Sequence, residues 1–227
     1  SGVAGLCAPQ SIIDLGNSGT AMRLLCGVLV GQTFETTLTG DDSLCKRPMK
    51  RVTDPLREMG ASIRASFGGR APISIRPVGQ LSGIEYEMPI ASSQIKSAIL
   101  LAGMYAAQAT IIHEATKTRD HTERMLEGFG YPIDREGDAI KLEANGTLRA
   151  TELSVPGDFS SAAFFIVGAS IVPGSRLKLL NVGVNPTRTG LLKALKMMGA
   201  KVEVRNYRYA AGEPVADLSL IHISEPT

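Results

Sequence analysis

Apolar and polar positions along this chain follow two rhythms that take turns. Short runs of β type at residues 11–15, 36–39, 109–112 and 152–155 predict strands. Between them lie longer apolar blocks opened by small and hydroxyl residues: Asn17-Ser18-Gly19-Thr20, Ala91-Ser92-Ser93-Gln94 and Asp158-Phe159-Ser160-Ser161. Such openings predict helix starts. A second class of helix is amphipathic, with Leu191, Leu192, Leu195 and Met198 on one stripe and Met125, Leu126 and Phe129 on another. Met49, Val52, Leu56 and Met59 keep helical spacing through Pro55, which predicts a kink or a restarted helix there. Asp120 and Glu123 predict a capping box.

These elements repeat. Ser18, Ser92 and Ser160 stand 74 and 68 residues apart, and Arg47, Arg119 and Arg188, each leading an amphipathic helix, stand 72 and 69 apart. Those helices close at Gly60, Gly130 and Gly199 before a strand-like triplet. Three markers with one period near 70 residues mean a fold assembled from one supersecondary unit. The unit reads as βαβ, then a second helix and further strands, in an α/β protein built by duplication. Its best boundary lies near residues 152–156. A third unit standing alone cannot bury its helix faces, so apolar surface is expected to remain exposed.

Composition narrows the class. With 227 residues, 44% of them apolar, the chain has material for one or two substantial cores. The longest apolar stretch, residues 98–112, holds fifteen residues and is interrupted by Gln108, short of the roughly 20 that span a bilayer. It reads as a buried helix running into a strand. No secretory signal is recognisable at Ser1, although the N-terminus has the look of a cut end. Cys7, Cys26 and Cys45 are odd in number and lack metal spacing, which points to free thiols in a reducing compartment, the cytoplasm by default. A net charge of +2 implies no polyanionic partner. Locally, however, Lys46, Arg47, Lys50 and Arg51 gather four cations at a helix start, where backbone N–H groups already favour anions.

Helix starts built from hydroxyl and small residues offer free N–H donors and side-chain oxygens, the chemistry that holds a phosphate or carboxylate. If the units face one cleft, Ser92, Ser93, Gln94, Arg47 and Arg119 converge on a ligand with more than one anionic group. Each charge-assisted bond of that kind contributes about 1.5–3 kcal/mol.

Several long segments, in order, resemble the EPSP synthase family of enolpyruvyl transferases: residues 15–23 (Leu-Gly-Asn-Ser-Gly-Thr-Ala-Met-Arg), 46–49 (Lys-Arg-Pro-Met), 91–97 (Ala-Ser-Ser-Gln-Ile-Lys-Ser), 118–123 (Thr-Arg-Asp-His-Thr-Glu) and 185–190 (Asn-Pro-Thr-Arg-Thr-Gly). The resemblance covers residues 11–217 and the middle of the family pattern. It implies an α/β fold of repeated βαβαββ units, an inside-out α/β barrel, of which three of six units are present. Residues 1–153 then correspond to the latter two units of the N-terminal domain and 154–217 to the first unit of the C-terminal domain. The implied reaction transfers the enolpyruvyl group of phosphoenolpyruvate to the 5-hydroxyl of shikimate 3-phosphate, through a tetrahedral adduct that expels phosphate. By resemblance, Ser92, Ser93, Gln94 and Arg119 surround shikimate 3-phosphate, and Gly19, Arg47 and Gln94 contact phosphoenolpyruvate. The resemblance implies no cofactor, no metal, no nucleic-acid or membrane partner, and a monomeric intact protein.

The resemblance also marks what has no counterpart here: the family's Lys-Ser pair and Arg near the N-terminus, and its Asp, Lys, Glu, Arg and final Lys in the C-terminal domain. Those include the proton-transfer groups, so no catalytic residue is assigned and this chain alone is expected not to turn over. Gly19 implies sensitivity to glyphosate in the intact enzyme, since an Ala there would push a methyl beside phosphoenolpyruvate; Leu24 stands where some relatives have Pro. Residues 218–227 resemble a translated sequencing adapter and are set aside with His222, leaving His113 and His121, which read as surface or capping residues. The sister transferase acting on UDP-N-acetylglucosamine carries a Cys five residues before its Arg-Pro, whereas Cys45 lies two before Arg47. An RNA-end-processing protein of similar repeats is disfavoured by the absence of Trp and of a basic stripe.

Overall fold

A computed structural model describes residues 5–221. The first repeat runs β1 (Ile13–Asp14), α1 (Gly19–Leu29), β2 (Thr36–Thr39), a single turn α2 (Asp42–Cys45), α3 (Lys50–Glu58), β3 (Ser62–Ser66) and β4 (Arg70–Arg76). The second runs β5 (Glu85–Glu87), α4 (Ser93–Gly103), β6 (Thr110–His113), α5 (His121–Gly128), β7 (Ile133–Glu136) and β8 (Ala139–Leu142). The third runs α6 (Phe159–Ile171), β9 (Arg176–Gly183), α7 (Gly190–Met197), β10 (Val202–Ala210) and β11 (Glu213–Ile221).

The sheets repeat as the sequence does. Strand order is β1-β2-β4-β3 in the first and β5-β6-β8-β7 in the second, each opening with a parallel pair and continuing antiparallel. The third has order β10-β11-β9, and Gly157 bridges Val182 in parallel where the other units place their first strand. The strand expected at residues 152–155 therefore does not form. Glu152 to Val155 are exposed, and Pro156 behind them has no N–H to give to a ladder.

Two other expectations need correction. The Asp120 side chain, at the N-cap of α5, makes no cap bond; its carboxylate accepts instead from Arg124 Nε at 2.9 Å and Asn185 Nδ2 at 2.7 Å. Asn185 is itself buried, so this charge-assisted bond outcompetes the local cap. Of the kink or restart expected at Pro55, the restart does not occur, for α3 runs through it. The interruption lies earlier, between α2 and α3, and Arg47 sits in that turn rather than on a helix.

Helix closure follows expectation. Gly60 and Gly199, both at φ +88°, end α3 and α7, with Gly60 N bonded to Arg57 O and Ala61 N to Leu56 O. This pair of bonds satisfies last-turn carbonyls and needs the left-handed residue that Gly supplies without a Cβ penalty.

The chain divides into two compact units, one reaching to Thr118 and resuming at Tyr131–Thr147, the other taking Arg119–Gly130 and everything from Leu148 on. In the first, α1 packs on α4 so closely that a Cβ on Gly27 would stand 2.2 Å from the Ala98 carbonyl oxygen. Met22, Cys26, Leu56, Ile73, Ile75 and Ile99 fill the surrounding core. In the second, Phe159, Ile166, Leu192, Leu195, Leu218 and Leu220 make a smaller core. Its helix α6 is apolar all round, and Phe164 remains 81% and Phe165 63% exposed, as the sequence leads one to expect of a unit short of neighbours. Of the ten residues set aside as adapter-like, Leu218 to Ile221 lie in β11, and His222 and those after it fall outside the described residues.

Candidate functional site

In the first compact unit the sequence-predicted residues gather about the first turn of α1. Ser18 caps that helix, its Oγ accepting from Ala21 N at 3.3 Å, and Gly19 follows, buried. A Cβ on Gly19 would lie 2.7 Å from Arg23 Nη1 and 2.9 Å from Arg47 Nη1, so two guanidiniums close over a position that only hydrogen fits without displacement. Arg23 is held by a bond from Nη1 to Gly19 O at 2.9 Å.

Arg47 is aimed by a relay. Asp41 caps α2 through Oδ1, which accepts from Leu44 N at 2.7 Å; its Oδ2 accepts from Asn17 Nδ2 at 2.7 Å, and Asn17 Oδ1 accepts from Arg47 Nη2 at 2.6 Å. The Asn17 bond and the Leu44 N–H hold the Asp41 carboxyl below its ordinary range. Burial, then the neighbouring Arg47 and Arg51 cations, lower the Arg23 guanidinium. Among the described residues neither Arg23, Arg47 nor Arg51 forms a salt bridge, which leaves a concentrated positive potential at the start of α1.

Helix α4 adds its own start. Gln94 donates from Nε2 to Thr20 Oγ1 at 2.7 Å, bringing it to the same turn of α1. Ser92 occupies the N-cap of α4 in extended conformation but makes no cap bond, unlike Ser18 and Asp158, so its hydroxyl is not spent on its own helix. Ser93 opens the helix, half-buried. Arg119 lies in the second compact unit, exposed, directly before Asp120. Thus Gly19, Arg47 and Gln94 are brought together, and Ser92 and Ser93 stand on the same helix start as Gln94.

Sequence reasoning gave Asn17 and Arg23 no role, although both lie in the quoted motif. It missed Lys96 and Glu114 as well. Lys96 is fully buried in α4 with Nζ 2.6 Å from Glu114 Oε2. Its only sequence signal is a lone cation in an otherwise apolar helix. Of the two histidines, His113 pairs with Glu85 at 2.9 Å on adjacent strands, and His121 Nδ1 lies 2.7 Å from Glu213 Oε1 at the start of α5. Cys45 Sγ donates to the Gly40 carbonyl at 3.2 Å. No group of three or more metal-ligating side chains occurs among the described residues, and no described helix is long and apolar enough to cross a membrane.

Comparison with known proteins places these features in one family. Residues 1–225 match the profile described as EPSP synthase (3-phosphoshikimate 1-carboxyvinyltransferase). The chain is 58% identical over 217 residues to the 3-phosphoshikimate 1-carboxyvinyltransferase of Alkalilimnicola ehrlichii, covering 96% of this chain and 49% of that protein. The Methylococcus capsulatus protein of the same name is 55% identical over 219 residues, with 96% and 50% covered. Among solved structures, EPSP synthase from Acinetobacter baumannii superposes with a TM-score of 0.89 at 52% identity, covering 98% of this chain and 50% of that one. The chain spans about half the length of the curated relatives it matches. Its sequence, its repeated units and their α/β sheets make it a member of the EPSP synthase (3-phosphoshikimate 1-carboxyvinyltransferase) family.

Proposed function

We propose that this chain is the part of a 3-phosphoshikimate 1-carboxyvinyltransferase that holds shikimate 3-phosphate and the phosphate end of phosphoenolpyruvate. The observation that carries the reading is the gathering of Gly19, Arg47 and Gln94 around one helix turn. Arg47 and the α1 N-terminus meet the phosphate of phosphoenolpyruvate, with Gln94 beside it. Ser92 and Ser93 hydroxyls, with Gln94 and Arg119, bind shikimate 3-phosphate. The repeat start thus supplies two anion sites. Fixed donors of this kind cost no reorganisation when charge moves in the transition state, and positioning two anions together overcomes their mutual repulsion.

The intact protein would then transfer the enolpyruvyl group to the 5-hydroxyl, as a cytoplasmic monomer of the shikimate pathway. Its N-terminal domain contributes residues up to 153 and its C-terminal domain begins at 154. Proton transfer falls to groups outside this chain. The test replaces the corresponding half of the Alkalilimnicola ehrlichii relative with residues 5–217 and measures phosphate release from shikimate 3-phosphate and phosphoenolpyruvate. The chimera should turn over and the 227-residue chain alone should not. A folded chimera that binds neither substrate would overturn the reading.

A further inference from the structure

We infer that Lys96 and Glu114 are positioning residues that tie the start of α4 to the loop running into Arg119. The inference rests on the functional reading above and assigns this pair a task within it.

Lys96 lies one turn beyond Ser92, its N–H bonded to Ser92 O at 3.2 Å, and is wholly buried. Its Nζ approaches Glu114 Oε2 at 2.6 Å. Glu114 directly follows β6 and is 7% exposed. The rest of its carboxylate serves one residue: Oε1 accepts from Thr118 N at 2.8 Å and Oε2 from Thr118 Oγ1 at 2.8 Å. Between Glu114 and Thr118 the residues Ala115, Thr116 and Lys117 are exposed and belong to no helix or strand. Arg119 follows immediately.

A buried ion pair is a poor device for stability alone, because apolar residues of similar volume commonly do as well or better in its place. What apolar residues cannot do is accept two hydrogen bonds from Thr118. The carboxylate therefore fixes the end of an otherwise unsupported loop, and Lys96 keeps that carboxylate charged and oriented on the helix that carries Ser92, Ser93 and Gln94. Removing the pair frees the loop before Arg119 without emptying the core.

The test uses the 227-residue chain with Lys96→Met/Glu114→Leu, which removes both charges together, and Glu114→Gln, which retains one acceptor for Thr118. Three quantities are read at neutral pH: the thermal midpoint, hydrogen exchange at the Thr118 amide, and calorimetric affinity for shikimate 3-phosphate. The double variant should keep its midpoint to within a few degrees while losing at least about tenfold in affinity. Thr118 amide protection should disappear in it, and Glu114→Gln should fall between. Should the double variant not fold, the order of affinity and protection between wild type and Glu114→Gln decides. A folded double variant with wild-type affinity, or with a protected Thr118 amide, overturns the inference alone. Failure of the wild-type chain to bind shikimate 3-phosphate overturns the functional reading and this inference with it.

Discussion

Gln94 donates from Nε2 to Oγ1 of Thr20 at 2.7 Å across 74 residues, which is the repeat step itself. Equivalent first turns of two successive units are thereby stitched side by side. Gln94→Ala removes that stitch. Since a neutral hydrogen bond contributes about 0.5–1.5 kcal/mol, the thermal midpoint of the chain should fall only a few degrees. Loss of phosphoenolpyruvate affinity in the chimera should be larger, about tenfold or more, because Gln94 is proposed to touch both substrates. Equal, small effects on both quantities would make Gln94 a strut only.

Gly19→Ala tests the closure of the arginines. The added methyl meets Nη1 of Arg23 and of Arg47, the far ends of flexible side chains, so the fold accommodates it and stability should change by under about 1 kcal/mol. Arg47, however, must leave its bond to Asn17 or tilt. Phosphoenolpyruvate and glyphosate should both bind the chimera more weakly, glyphosate the more so. An unchanged glyphosate inhibition constant would contradict this geometry.

Much of this was legible beforehand because repetition is a long-range signal that survives local ambiguity. The spacing of Ser18, Ser92 and Ser160 announced three units, and the structure returns three sheets of one strand order, the third without its first strand. Closure at Gly60 and Gly199 was legible because φ +88° leaves few alternatives. What was not legible depended on partners far along the chain. Asp120 and Glu123 have capping-box spacing, but Asn185, 65 residues on, competes for the Asp120 carboxylate. Ser92 looks like any capping serine until its hydroxyl is found off its helix. The Lys96–Glu114 pair joins a helix to a strand end, and no local pattern links those two positions.

The buried pair also sets an acid response. Although burial raises the Glu114 carboxyl, hydrogen bonds from Lys96 and from the Thr118 N–H and hydroxyl outweigh it and hold it below the ordinary glutamate value. The unfolded chain therefore takes up this proton first. The pair's contribution is complete above about pH 5 and is lost as pH falls through and below the ordinary value of about 4.3. Between about pH 5 and pH 3 the wild-type midpoint should fall more steeply than that of Lys96→Met/Glu114→Leu. Parallel curves would show that Glu114 does not carry the effect.

Thiol chemistry should divide the three cysteines. Burial pushes the Cys26 thiol up to about 12, and its side chain is fully enclosed in α1. Cys7 is exposed and Cys45 partly so. Iodoacetamide at mildly alkaline pH should modify Cys7 and Cys45 in the native chain and reach Cys26 only after unfolding. Native modification of Cys26 at the rate of Cys7 would mean that α1 opens from α4.

Calorimetric titration decides whether the helix starts of this chain form the proposed site for shikimate 3-phosphate. The chain should bind shikimate 3-phosphate one to one and bind unphosphorylated shikimate at least about tenfold more weakly, with Ser92→Ala/Ser93→Ala removing most of that preference. Equal affinity for the two ligands, or a preference untouched by the double substitution, would contradict the account.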